Sequence, residues 1–407
     1  MLRDVLKWLL AICVCVSVSK NNPAAATPLE IFIDADFAKS PASSTSIELG
    51  IRTALEEVDY RLGGLTVTVV QKDHRGNVKR SFRHMQEMQA SETALLMFGG
   101  MHSPPYLTHR DFINENSLLT ALPWSAAGPI TRAGRDLENW IFRLSVDDFQ
   151  SGRFLVDAAI TQGGCQSVSL LLMDTGWGHA NRNTLEAALA ARDLRPDHVE
   201  FFPTAIGEAA AGTLVDELGR FNPECVIMLS DWRNGALIAN ALADRLPGVK
   251  LFSHWGIMGG AFSQNVPHET RTALSLSVLQ TCGLRRERSG NPVLRAALRQ
   301  ALPEARSLSD VSAPTGFVHG YDLTRILISA AEQAARGSDW QGDIDAKRRA
   351  LKAALENLHQ PVPGVLKNYK TPFSPYDVTA PDSHEALGQT DLCLARFGAD
   401  GRLEDPR

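Results

Sequence analysis

The stretch from Met97 to Thr131, MFGGMHSPPYLTHRDFINENSLLTALPWSAAGPIT, decides the fold. Its spacing predicts strand, small-residue loop, helix, strand and a second small-residue loop. Leu95 to Phe98 is a short apolar run, broken by Gly99-Gly100-Met101-His102-Ser103-Pro104-Pro105. A helical segment ends at Phe112 to Asn116, and Leu118 to Leu122 reads as the next strand. Pro123-Trp124-Ser125-Ala126-Ala127-Gly128-Pro129 breaks that strand in turn. Open parallel sheets bind ligands just outside the carboxyl ends of their strands. Small residues there let a ligand reach backbone N–H groups, and Ser103 and Ser125 add hydroxyls. These two loops are the first candidate binding site.

The same alternation continues on both sides. Upstream, Leu29 to Ile33 reads as a strand, followed by a helix from about Ser46 to Leu62. Thr45 and Glu48 have capping-box spacing. Ile47, Ile51, Leu55 and Val58 form one apolar stripe, and Gly63-Gly64 reads as the helix stop. Leu65 to Val70 is the next strand, then a helix runs through Met85 and Met88. The rhythm restarts after Trp140 to Leu144. Val168–Leu172, Val199–Phe202, Val226–Leu229 and Leu251–Ser253 read as strands. Helices at Asn183–Ala191, Ala209–Arg220 and Leu237–Leu246 separate them. Leu274 to Leu279 is extended, and Asn291–Leu302, Gly316–Ala335 and Asp343–Leu358 are helical. The tail is Pro-rich from Pro361, then strand-like at Leu392 to Phe397. Strands alternating with helices at this spacing predict parallel sheets.

A chain of 407 residues exceeds one compact core, so two α/β units are expected. The net charge of −5 comes without a basic block, which argues against a nucleic-acid surface. Residues 1–26 read as a secretory signal peptide. Arg3 and Lys7 flank its start, Trp8 to Val18 is its apolar core, and Ala24-Ala25-Ala26 offers cleavage after Ala26. That core is far shorter than the roughly 20 residues of a membrane span. Cys13 raises a lipoprotein alternative, but bulky Ile12 stands where a small residue is wanted. We read a cleaved, periplasmic protein. Cys165, Cys225, Cys282 and Cys393 remain, and four cysteines allow three pairings. Export permits disulfides, and Cys165 and Cys225 each begin a predicted strand. The preferred reading is four small buried thiols. No CxxC pair suggests a zinc site.

Tryptophan placement is the second signal. Trp124, Trp177, Trp232 and Trp255 fall on or beside strand-following loops. Aromatic rings at the mouth of a cleft stack on a ligand or cover its apolar part; alternatively each plugs a loop against its own domain. Asp36, Asp231 and His254 share such positions. A carboxylate there holds an ammonium group or else caps a helix, and His254 is placed to donate to a carboxylate. Arg132 and Arg135 attract an anion or are ordinary surface charge. The sequence contains no phosphate loop, no GxSxG elbow, no HExxH and no GxGxxG after a strand. His74, His84, His102 and His109 do not share a metal-ligand spacing. No catalytic residue, metal or cofactor is expected.

In this order, five segments resemble the type I periplasmic solute-binding proteins, in particular the branched-chain amino-acid and amide receptors. They are the GGMHSP loop, the PWSAAGPIT loop, Phe142-Arg143-Leu144-Ser145-Val146-Asp147-Asp148, Asp174-Thr175-Gly176-Trp177-Gly178 and Gly320-Tyr321-Asp322-Leu323. The resemblance implies two doubly wound parallel-sheet α/β lobes joined by three hinge crossovers. Lobe 1 is residues 27–143 plus 283–365, and lobe 2 is 144–282 plus 366–407. The crossovers fall near Phe142–Val146, Leu276–Thr281 and Gly364–Phe373. It also implies that Ser103 and Trp124, Ser125, Ala126 and Ala127 meet a ligand carboxylate or its equivalent. Trp177 supplies the second lobe's aromatic contact, and Asp231, Trp232, His254 and Trp255 occupy the ammonium-binding region. The chain departs from the pattern in three places. Ala127 lacks the usual Thr hydroxyl, Trp124 is bulky, and His254 and Trp255 replace the expected Glu. A larger, flatter or less charged ligand than an aliphatic amino acid is the resulting expectation. The implied partner is an ABC permease, with a membrane sensor kinase as the alternative, and the implied state is a monomer. An enzyme on the same scaffold is the competing class; it requires a nucleophile or metal cluster converging in the cleft.

Overall fold

The computed structural model describes residues 27–134 and 138–406. The leader, with Cys13, and Arg135 lie outside the described residues. The first sheet contains β1 (Leu29–Ala35), β2 (Arg61–Leu62), β3 (Leu65–Asp73), β4 (Ala94–Gly99), β5 (Thr120–Leu122) and β6 (Ile141–Arg143). Their order is β2-β3-β1-β4-β5-β6. All neighbours are parallel except β2 with β3. The second sheet begins with β7 (Val168–Met173), β8 (His198–Phe202), β9 (Cys225–Leu229), β10 (Lys250–Ser253) and β11 (Ser277–Thr281), again parallel. A small antiparallel pair follows, β12 (Val362–Pro363) with β13 (Asn368–Tyr369). β14 (Leu392–Phe397) and β15 (Leu403–Glu404) then close the second sheet as antiparallel edge strands. Helices cover both sheets, giving the two-lobed α/β fold.

Burial explains which residues build the strands. β4 and β9 are buried along their whole length, as central parallel strands with both faces covered must be. A long helix, Pro314–Ala334, packs along the helix Pro41–Glu56 on the first sheet. A side chain at Gly50 would collide with the Phe317 carbonyl, so the two backbones touch there.

Several local readings change: the helices expected at Asn183–Ala191 and Leu237–Leu246 start earlier, at Gly176 and Trp232. The first helix spans Pro41–Glu56, not Ser46–Leu62, because Pro41 sits at its first position. Thr45 is inside that helix and donates to the Pro41 carbonyl, so it caps nothing. Leu62 belongs to β2, and Gly63-Gly64, with φ of 52° and 84°, is the two-residue turn of the β2–β3 hairpin.

The cysteines are paired, not free. Cys165 joins Cys225, and Cys282 joins Cys393. β7 and β9 are neighbours, as are β11 and β14, so each pair is brought together by the sheet.

The chain passes between the sheets three times. The first passage follows β6, near the expected place. The second falls after Thr281 rather than before it, because Ser277–Thr281 is itself a strand of the second sheet. The third lies beyond Ala386, not at Gly364–Phe373. The Arg143 N–H donates to the His384 carbonyl at 2.9 Å, and the Ala386 N–H donates to the Arg143 carbonyl at 2.9 Å. Residues 366–386, expected with the second lobe, therefore stay against the first. The Arg143 guanidinium also grips the Glu385 carboxylate through two nitrogens, at 2.6 and 2.8 Å, with both side chains buried.

Candidate functional site

A cavity of about 430 Å³ lies between the two lobes. Its walls come from the loops at the carboxyl ends of β1, β3, β4 and β5 and of β7, β8, β9 and β10. This is where opposed parallel sheets place a ligand.

The first lobe supplies a polar wall. Asp36, Lys39 and Ser40 follow β1, and His74 and Gly76 follow β3. Met101, His102, Ser103, Pro104 and Pro105 follow β4, and Ala126 follows β5. Asp36 is buried; its Oδ1 accepts the Lys39 N–H at 2.8 Å, and its Oδ2 lies 3.9 Å from His102 Nδ1. Burial lowers the pKa of His74. Burial and the neighbouring His74 lower that of His102. Both rings are therefore neutral at neutral pH, and neither neutralises Asp36. Beneath this wall, the Tyr106 hydroxyl bridges the Asp34 carbonyl at 2.6 Å and the Gly100 N–H at 2.9 Å, which fixes the loop after β4.

The second lobe supplies an aromatic wall. Met173, Thr175 and Trp177 follow β7, and Thr204 and Ala205 follow β8. Ser230, Asp231 and Arg233 follow β9, and Trp255 and Gly256 follow β10. A side chain at Gly256 would stand 3.0 Å from the tip of the Trp177 ring, so glycine lets the indole lie against backbone. Asp231 caps the helix Trp232–Arg245, accepting the Arg233 N–H at 2.7 Å, and burial raises its pKa.

Ser103, Ala126, Trp177, Asp231 and Trp255 thus face one cavity, with Asp36 beside them. Trp124, Ser125, Ala127, Trp232 and His254 do not line it, and each has a physical reason. Trp124 is fully buried against the long helix, where a side chain at Gly316 would stand 2.9 Å from its ring. The Ser125 hydroxyl reaches the Gly100 carbonyl at 2.7 Å and the His102 carbonyl at 3.1 Å. The Ala127 N–H donates to Ser103 Oγ at 3.2 Å. The loop after β5 is thus a buttress for the loop after β4. Trp232 turns toward Gly260, with the Arg233 guanidinium 4.4 Å above its ring. His254 is fully buried behind the wall. It meets Asp148 at 3.0 Å and stands edge-on to Trp177 and Trp255 at 5.1 and 5.0 Å.

His74, His102, Met101, Ser230 and Thr204 line the cavity without having been singled out as ligand contacts. His74 follows β3 directly and Thr204 lies two residues past β8, so the same strand-end rule reaches them. Arg132, weighed as an anion attractor, is instead paired with Asp147 and Asp382. Among the described residues, no group of three or more His, Cys, Asp or Glu is arranged to hold a metal ion.

Known proteins share this fold. A family model described as periplasmic binding protein matches residues 36–402. No curated protein matches the chain at the sequence level. A type 1 periplasmic binding protein from Bordetella pertussis Tohama I is a similar solved structure, with TM-score 0.76 and 15% identity. The match covers 93% of this chain and 100% of that one. A solute-binding protein of an ABC transporter from R. palustris, in complex with 4-hydroxybenzoate, gives TM-score 0.73 and 17% identity over 94% and 96% of the two chains. An ABC transporter substrate-binding protein from Desulfitobacterium hafniense, in complex with Leu, gives 0.69 and 15% over 93% and 100%. The chain belongs to the periplasmic binding protein family, and it is a binding protein rather than an enzyme.

Proposed function

We propose that the chain is an exported receptor that captures a small flat molecule between its lobes and hands it to an ABC permease. One observation carries the ligand class: two tryptophans of one lobe face the hydrogen-bonding loops of the other across about 430 Å³. A ring sandwiched there buries its faces on indole and presents polar groups at its edge. Ser103, Ala126, Trp177, Asp231 and Trp255 are its contacts in this reading, joined by Asp36, His74 and His102.

The wall that would hold an aliphatic amino acid's carboxylate is depleted. Pro104 and Pro105 open the helix after Ser103 and carry no N–H. The Ala127 N–H is already given to Ser103 Oγ. That weakens the amide cradle a helix start offers an anion. The structural relatives that bind 4-hydroxybenzoate, benzoate and 3,4-dihydroxybenzoic acid support a ring-shaped ligand.

The test is isothermal titration of the purified protein with benzoate, 4-hydroxybenzoate, leucine, isoleucine and valine. Heat from the ring compounds, with compaction by small-angle scattering, is the expected result. Heat from the three aliphatic amino acids alone overturns the proposal.

A further inference from the structure

Between Met101 and Leu107 the first lobe presents one short segment to the second. Its middle, His102 to Pro105, lines the cavity, and its two ends touch the facing lobe. Met101 lies on the turn Trp255–Gly259 that follows β10. A side chain at Gly259 would stand 2.5 Å from Met101 Cε and 3.9 Å from the Ser40 hydroxyl. Leu107, in the helix Pro104–Glu115, lies on the start of the helix Gly176–Ala190 that follows β7. A side chain at Gly176 would stand 3.6 Å from Leu107 Cδ1. β9 runs between β10 and β7. The two contacts therefore fall on either side of the β9 loop, which brings Ser230 and Asp231 to the cavity.

Both contact points on the second lobe are glycines, and each adjoins an indole of the aromatic wall. Gly176 precedes Trp177, and Gly259 ends the turn that Trp255 begins. The segment itself is stiff. Pro104 and Pro105 each fix a backbone torsion. The Ser125 hydroxyl holds the Gly100 and His102 carbonyls, and the Tyr106 hydroxyl holds the Gly100 N–H and the Asp34 carbonyl. A stiff piece that reaches the opposite lobe at two points draws the lobes together around the cavity, whatever the cavity holds. These apolar contacts are lost when hinged lobes part.

We propose that Met101–Leu107 is a clasp: Met101 on Gly259 and Leu107 on Gly176 stabilise the closed form directly, set the fraction of ligand-free protein that is closed, and so scale the affinity for every ligand by one common factor. This rests on the receptor reading above and not on the ring. A protein whose binding-competent form is partly populated binds each ligand more weakly by that same fraction. Gly259 and Gly176 do not line the cavity, so substitutions there act on the clasp and not on the ligand. Met101 Cε is the free end of a flexible side chain, so a side chain at Gly259 displaces it and leaves the turn in place.

The experiment combines small-angle scattering of the ligand-free protein with calorimetric titration of benzoate and 4-hydroxybenzoate. Gly259→Val is expected to enlarge the ligand-free radius of gyration. It is also expected to weaken both compounds by the same factor, about 10-fold, the scale of overpacking one contact. Met101→Ala makes room for that valine, so in a Met101→Ala background Gly259→Val is expected to change affinity by less than about threefold. Gly176→Ala sets a methyl at ordinary contact distance from Leu107 and is expected to tighten both compounds about threefold. Thermal unfolding without ligand checks that each variant folds, and Gly176→Ala decides the matter if Gly259→Val does not. An unchanged radius and affinity in Gly259→Val overturns the clasp. So does a weakening that differs by more than about threefold between the two compounds, a valine effect undiminished by Met101→Ala, or no gain from Gly176→Ala. Heat from neither compound overturns the ring reading alone, because the ligand-free radii of the variants still decide the clasp.

Discussion

The two lobes share a topology and divide the work of the cleft differently. Four strand-end loops of the first lobe bring a buried carboxylate and two neutral imidazoles to the cavity. Four equivalent loops of the second bring two indoles. The first lobe has one tryptophan after a strand, Trp124, and the second has three, and what lies behind decides where they point. On the first lobe the long helix Pro314–Ala334 receives Trp124 into the core. On the second, the Asp148–His254 pair stands behind Trp177 and Trp255, which both line the cavity, Trp177 partly exposed and Trp255 buried. The lobes differ in covalent chemistry too: both disulfides staple the second sheet, and no cysteine lies in β1–β6. A repeated fold thus fixes where a ligand goes, while the second layer fixes what it meets.

The largest expected effect tests the first lobe's inward tryptophan. Trp124→Ala should lower the unfolding free energy in urea by about 3–5 kcal/mol, the range for emptying a large core site. A variant of unchanged stability would return Trp124 to the ligand. Next come the staples. Replacing Cys282 and Cys393 by Ala should remove about 2–4 kcal/mol. Hydrogen exchange should quicken in β7–β11 and stay unchanged in β1–β6; equal quickening in both sheets would erase the contrast.

The seam between the lobes gives a pH prediction. His319 is fully buried, meeting the Pro123 carbonyl at 2.7 Å and the Thr281 hydroxyl at 2.8 Å. Burial pushes its pKa down to about 4. The unfolded chain binds that proton between pH 6.5 and 4 and the folded chain does not. The contribution is therefore complete above pH 6.5 and lost as pH falls toward 4, a change of at most about 3 kcal/mol. His319→Gln should flatten that part of the stability curve, and an unaltered acid slope would remove His319 from the account. The smallest effect is on the second lobe's wall. Trp255→Ala should weaken ring-shaped ligands by about 2 kcal/mol, near 30-fold. Undiminished affinity would leave the aromatic wall without a role.

The strand-end loops were legible because alternating strands and helices force them to one end of each sheet. Which side chains of those loops turn toward the ligand was not. Trp124 and Trp255 look alike in sequence, since both follow a strand and a small or polar neighbourhood. Only Gly316, almost two hundred residues on, separates them. The capping-box spacing of Thr45 and Glu48 misled because Glu48 is engaged by Arg52 and Gln71 and not by a helix start. The histidine spacing speaks only to metal ligation, whereas His74's place directly after β3 is what marks it as lining the cavity. The cysteine pairing needed the strand order, which sequence spacing alone leaves open.

The fork between Arg143 and Glu385 has a mechanical consequence. It lashes the strand that leads into the first passage to the segment that leads into the third, with backbone hydrogen bonds on either side. Two ribbons tied at one point bend together and cannot slide past each other. Both tied segments belong to the first lobe, so the first and third passages leave it from a single anchored point.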